Sequence, residues 1–354
     1  MDVAGGIAWH SVGASAAAVC YTPQRKVLGW HWHTWWLAQA LVCWLVMPVL
    51  VAWITVPELA EVIKRSPASA MYKSFFLGMT YGIGGTAFGL AIRYAGFSLT
   101  YAISVGISCV LGTLLPPWVA GTLGTVFQQQ GAGWLGFGIF LGAIGIALCG
   151  WAGFIKEKNH PLLGQNISGF SMTKGLPLCL VAGILSAMYG FAIDQGQPIA
   201  DEAARLGSGQ FQTNAVYIFS NSGAFLTTLF YCSWLHFRHK SWGQHFRLAE
   251  SKPGVSTGSN YLWASLTGVL WFGQFLFYGM GHIRMGSYKF SSWAIHMIML
   301  VLLSSVVGIA LKEWKNSPSK AKWVLGIAIV ILMLAVVSLT YGNYLGEAVA
   351  PMEH

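Results

Sequence analysis

The chain has 354 residues, 55% of them hydrophobic and only 9% charged, with a formal net charge of +9. Its mean hydropathy is +0.58. An ordinary soluble domain carries about 25% charged residues, so these values exclude one. The basic residues are spread over short segments and form no single patch, so membrane topology explains the positive charge better than nucleic-acid binding does.

A bilayer core about 30 Å thick asks for roughly 20 mostly apolar residues per helix. Ten such runs follow one another, at about 4–22, 36–56, 72–92, 97–117, 133–153, 175–193, 214–235, 261–281, 290–311 and 322–345. Each is too long for a strand, and none alternates as a membrane β-barrel strand must. The first run has no Lys or Arg before it and the chain returns to the membrane at once, so it is expected to persist in the mature protein. Trp30, Trp32, Trp35 and Trp36 cluster where the second run begins, and read as an interfacial belt. The cysteines, Cys20, Cys43, Cys109, Cys149, Cys179 and Cys232, stand singly with no CxxC pair and no histidine at metal spacing. Small packing residues is the plainer reading, and no metal or other cofactor is expected.

With ten spans the connecting segments alternate sides. Those after the odd-numbered spans hold 14 of the 20 Lys and Arg residues, among them Arg25, Lys156, Arg238 and Lys312. The positive-inside rule puts that set in the cytoplasm and both termini on the other face.

The chain also resembles itself. At an offset of 190, Gly78 meets Gly268, Tyr81 meets Trp271, Phe88 meets Tyr278 and Gly96 meets Gly286. A weaker match at 170 pairs Gly13 with Gly183 and Tyr21 with Phe191. Two five-helix halves, 1–155 and 175–354, are expected, joined by a charged linker at 156–174. Because five is odd, the second half enters the membrane from the opposite side, which makes the repeat inverted.

Four stretches carry a resemblance. They are Trp9-His10 leading to Tyr21-Thr22-Pro23-Gln24-Arg25-Lys26; Gly89-Leu90 with Arg93-Tyr94 and Gly96; Gln274-Phe275 with Phe277-Tyr278 and Gly281-His282; and Ser292-Trp293 with His296-Met297, then Leu311-Lys312-Glu313-Trp314. Together they resemble the L-rhamnose-proton symporters of the drug/metabolite transporter superfamily, over essentially the whole chain. The resemblance implies import of a 6-deoxyhexose, most simply L-rhamnose, driven by protons across the bacterial inner membrane, with sugar, protons and lipid as the partners. An exporter or exchanger of amino acids, drugs or other metabolites on the same scaffold is the alternative. An enzyme is disfavoured: there is no HExxH, GxSxG, P-loop or carboxylate pair.

Proton coupling needs a titratable group inside the membrane, yet no Asp or Glu lies at the centre of any run. Histidine, with a pKa of about 6.5, becomes the leading candidate. His10 shares a face with the small residues Gly13, Ala14 and Ala17, and His296 is the repeat mate of Gly106. For each, a hydrogen bond to a neighbouring group is the competing structural account. Asp194, closing the sixth run, is the third candidate, and a helix-end acid facing water is its plainer reading. A pyranose has hydroxyls to pair and an apolar face to stack. Trp9, Tyr81, Asn221, Trp271, Gln274, Tyr278 and Trp293 have that chemistry in the helices which line the cavity of the resembled superfamily. Trp271, Gln274 and Tyr278, spaced by three and four, share one helical face. Arg93, His282, Arg284 and Glu313 sit near helix ends and are candidates for gates or anchors.

Overall fold

In lipid a backbone must close its hydrogen bonds within the segment, and all ten apolar runs do so as helix. The structure, a computed structural model, describes residues 2–95, 97–158, 171–246 and 256–348. The helices are α1 (Val3–Val19), α2 (Trp32–Leu41), α3 (Met47–Thr55), α4 (Leu59–Arg65), α5 (Ala68–Ala95), α6 (Phe97–Val119), α7 (Leu123–Gln128) and α8 (Ala132–Lys158). They continue as α9 (Met172–Gln195), α10 (Gln197–Arg205), α11 (Asn214–His239), α12 (Gly243–Phe246), α13 (Thr257–His282), α14 (Ser292–Ala310) and α15 (Ser319–Ala348). No strand occurs among the described residues. Most of the 156–174 linker lies outside them.

Six stretches are long and apolar enough to cross a membrane: Trp32–Thr55, Ser98–Val119, Ala132–Lys156, Thr173–Arg205, Lys289–Ala310 and Ser319–Gly346. The other four runs are helical too, but α1 is only 17 residues long, and α5, α11 and α13 fall outside that set. The second run is one continuous helical path because a π-helical turn at Val42–Val46 joins α2 to α3. Met47 N–H closes that turn on the Val42 carbonyl, five residues back.

The chain folds into two compact units, each drawing on both halves of the sequence. One comprises residues 1–15, 84–191 and 280–354; the other, 16–83 and 192–279. In the first unit α8 packs along α15 and against α6, and α14 lies on α6 and α15. Glycine makes the approach close: a methyl group on Gly131 would strike the Gly342 carbonyl. In the second unit α11 is the hub, packing on α2, the π turn, α3 and α10. There a methyl group on Gly78 would strike the Ser220 carbonyl, so α5 and α11 meet backbone to backbone.

Candidate functional site

In the first unit α1 and α14 bring His10 and His296 together. Both are buried, and their ring centroids stand 5.9 Å apart at 60°. Room for His10 comes from Gly281, where a methyl group would sit 2.9 Å from the imidazole Nε2. His282 is buried in the same unit and, with His296, is among the titratable neighbours of His10. One residue along α1, Ser11 donates to the Ile7 carbonyl at 3.0 Å and lies 3.7 Å from the Met299 sulfur. His10 therefore packs against the small residue Gly281 with two other imidazoles as its neighbours.

Trp293, one turn before His296, is locked. Its indole N–H donates to the Ser108 carbonyl at 2.9 Å, and its ring lies against Gly112 and Gly190, with Tyr189 6.0 Å away. Arg284 donates to the Met280 carbonyl at 2.8 Å and lies 6.0 Å over the Trp9 ring. At the end of α14, Lys312 takes a left-handed conformation that turns Glu313 and Trp314 back towards Gly308. Lys156 stands 4.6 Å above the Trp314 ring. The Arg93 side chain lies outside the described set.

The second unit collects aromatic rings. Trp271 of α13 has Tyr21, Trp36 and Trp44 around it at centroid distances of 5.3, 5.5 and 5.6 Å, all edge to face. Trp36 and Trp44 are 6.3 Å apart, and Tyr81 is 6.1 Å from Trp44. The Trp271 indole N–H donates to the Tyr81 hydroxyl oxygen. Trp36 and Trp44 are eight residues apart, which in a regular α-helix leaves them about 80° out of register. The residue gained in the π turn brings them back towards one face, and π turns frequently sit at functional positions.

This cluster is short of hydrogen bonds. The buried indole nitrogens of Trp36 and Trp44, both amide atoms of Gln39 and the Thr267 hydroxyl have no partner among the described residues. Each such orphan costs about 1–3 kcal/mol, and most buried polar groups in native proteins avoid it. Gly268 explains how they come together: a methyl group there would meet the Gln39 carbonyl, so α13 rests directly on α2.

Of the sugar-contact candidates, Tyr81 and Trp271 are in this cluster. Gln274 and Tyr278 follow along α13, both buried, with Tyr217 and Asp194 as neighbours of Tyr278. Asn221 is buried on α11 beside Ser220. Asp194 is exposed at the end of α9, accepting a 3.1 Å bond from Gln195. Reading Trp35 and Trp36 as interfacial is corrected: both are buried, Trp36 at 4% exposure. Sequence reasoning thereby missed Trp36, Gln39 and Trp44, although the spacing Trp36–Gln39 was a readable one-turn signal.

At one end of this unit a chain of bonds links three histidines. His33 Nε2 and His236 Nδ1 lie 2.7 and 2.9 Å from the Ser241 hydroxyl, His236 Nε2 is 3.1 Å from His245 Nε2, and His245 Nδ1 is 2.9 Å from the Tyr261 hydroxyl. Burial pushes the His245 imidazole below its ordinary pKa. No three His, Cys, Asp or Glu side chains among the described residues are placed to hold a metal ion. All six cysteines are free thiols.

The L-rhamnose-proton symport protein family matches residues 2–343. This chain belongs to that family. An L-rhamnose-proton symporter of Yersinia pestis (strain Pestoides F) is 33% identical over 332 residues, covering 93% of this chain and 95% of the relative. One of Mannheimia succiniciproducens is 32% identical over 332 residues with the same coverage. Membership makes the chain a membrane transporter and not an enzyme. With six strongly apolar helices it is a multi-pass inner-membrane protein.

Proposed function

We propose that this protein imports L-rhamnose together with protons by alternating access. The observation that carries the reading is the family match along nearly the whole chain, residues 2–343. The ten helical runs are assigned as ten spans in two inverted five-helix repeats, 1–155 and 175–354, with 156–174 as the linker and both termini on the non-cytoplasmic face. The paired imidazoles of His10 and His296 are the assigned proton carriers, with Asp194 as the reserve. Tyr81, Asn221, Trp271, Gln274 and Tyr278 are the assigned sugar contacts of the second unit; Trp9 and Trp293 offer ring faces in the first. Arg93, His282, Arg284 and Glu313 are assigned to helix-end gating or anchoring.

Chemically the assignment asks for two properties. A neutral sugar gains nothing from the membrane potential by itself, so uphill uptake requires that its binding and that of a proton be thermodynamically coupled. Once one imidazole of the pair holds a proton, the other resists a second, because like charges at this separation repel. The expected result in membrane vesicles is L-rhamnose accumulation on imposing an alkaline interior, external alkalinisation on adding L-rhamnose, and loss of both with a protonophore. Uptake that equilibrates L-rhamnose without moving protons would overturn the reading.

A further inference from the structure

We infer that Trp36, Gln39 and Trp44 form a binding subsite for a neutral polyhydroxyl ligand, with Tyr21, Tyr81 and Trp271 as its walls; the inference rests on the proposed symport for the identity of that ligand. Three observations converge. The rings stand edge to face at 5.3 to 6.3 Å, an arrangement with indole and phenol edges in one place. Both indole N–H groups and the whole Gln39 amide are buried without a partner among the described residues. A π-helical turn at Val42–Val46 brings Trp44 towards the Trp36 face.

The unpaired atoms define the ligand's chemistry. Two indole N–H groups and the amide NH2 offer up to four donated bonds, and the amide oxygen accepts. An apolar ligand would leave all of them unpaired. A charged ligand finds no counter-charge, since the six side chains named are neutral. Hydroxyls both accept and donate, and a sugar's C–H face suits indole walls. Trp271 is excluded from the donor set because its N–H is engaged by Tyr81. Specificity then follows from geometry: a hydroxyl missing or inverted leaves a buried donor unserved, which a site of this kind rejects strongly.

The test is calorimetric titration of the purified full-length protein with L-rhamnose, L-fucose, D-xylose and D-mannitol, for the wild type and Trp36→Phe, Gln39→Leu and Trp44→Phe. Each variant should bind L-rhamnose roughly 5-fold to 150-fold more weakly. Gln39→Leu, which replaces an unpaired amide with an apolar chain of similar size, should not lower the unfolding midpoint in the absence of sugar. That readout separates a ligand site from a structural one. Unchanged L-rhamnose affinity in all three variants would overturn the subsite, with water serving these atoms, and leave the symport reading intact. A wild type that ignores L-rhamnose but binds another of these polyols, with binding weakened in the variants, would support the subsite and overturn the assigned substrate.

Discussion

Two buried tryptophans on opposite terms with their surroundings separate the two units. Trp293 has its N–H on the Ser108 carbonyl and part of its ring on glycines, so its one donor is spent inside the protein. Trp44 is as deeply buried, at 1% exposure, yet its N–H is unpaired among the described residues, as are those of Trp36 and the Gln39 amide. A protein tolerates orphans of that kind mainly where something else satisfies them. The first unit has instead brought together two groups that can hold a proton, His10 and His296. The contrast suggests a division of labour, with titratable groups in one unit and polyol-facing donors in the other.

Removing the imidazoles should have the most severe consequence for transport. An inward potential of 100 mV supplies about 2.3 kcal/mol per proton, enough for roughly fifty-fold accumulation of a neutral sugar. His10→Ala or His296→Ala should abolish that accumulation in energised vesicles while sparing some downhill exchange. Sugar affinity should also lose its dependence on pH between about 5.5 and 8. Full accumulation with normal pH dependence in both variants would move the proton site elsewhere, and Asp194 would be next to test.

Both halves of the comparison were unevenly legible in the sequence. The helices were, because a run of 20 apolar residues has one way to satisfy its backbone in lipid. His10 and His296 were also visible, being titratable groups in spans that otherwise hold none near their centres. Their 5.9 Å approach was not, since they stand 286 positions apart in the chain and only packing closes that distance. The aromatic cluster was half visible. Tyr81 and Trp271 stood out as repeat mates, whereas Trp36 sat in a run of tryptophans whose position suggested an interface. The register of Trp44 depended on a π turn, and periodicity at 3.6 residues cannot register an inserted residue.

The hydrogen-bond contrast predicts a difference in stability. Trp293→Phe and Trp44→Phe delete the same atoms, and each leaves a similar void. Only the first also removes a buried hydrogen bond, the one donated to the Ser108 carbonyl. Trp293→Phe should therefore destabilise the sugar-free protein by about 1–3 kcal/mol more than Trp44→Phe does. Chemical unfolding in mild detergent, compared between the two variants, measures the difference. Equal losses would mean that the indole N–H of Trp293 contributes nothing beyond its volume.

A milder change should come from the histidine chain at one end of the second unit. His245 is held neutral by burial, its pKa lowered in the folded protein, while in the unfolded chain it reverts to about 6.5. Below that pH the unfolded state binds the proton more readily, so stability is complete above about 6.5 and falls as the pH drops towards the folded value. A single proton limits the slope to about 1.4 kcal/mol per pH unit, and because the ring is only half-buried, solvent screening reduces the total loss. Protonation of His245 would also make both its ring nitrogens donors, so the 3.1 Å contact with His236 Nε2 would then require that nitrogen to accept. His245→Phe keeps a ring against Tyr261 and Trp242 but cannot titrate. The variant should start lower at pH 8, having lost the bonds to Tyr261 and His236, and should lose less than the wild type between pH 8 and 5.5. If the unfolding midpoints of wild type and variant fall in parallel over that range, His245 does not titrate there, and the acid sensitivity belongs to other groups.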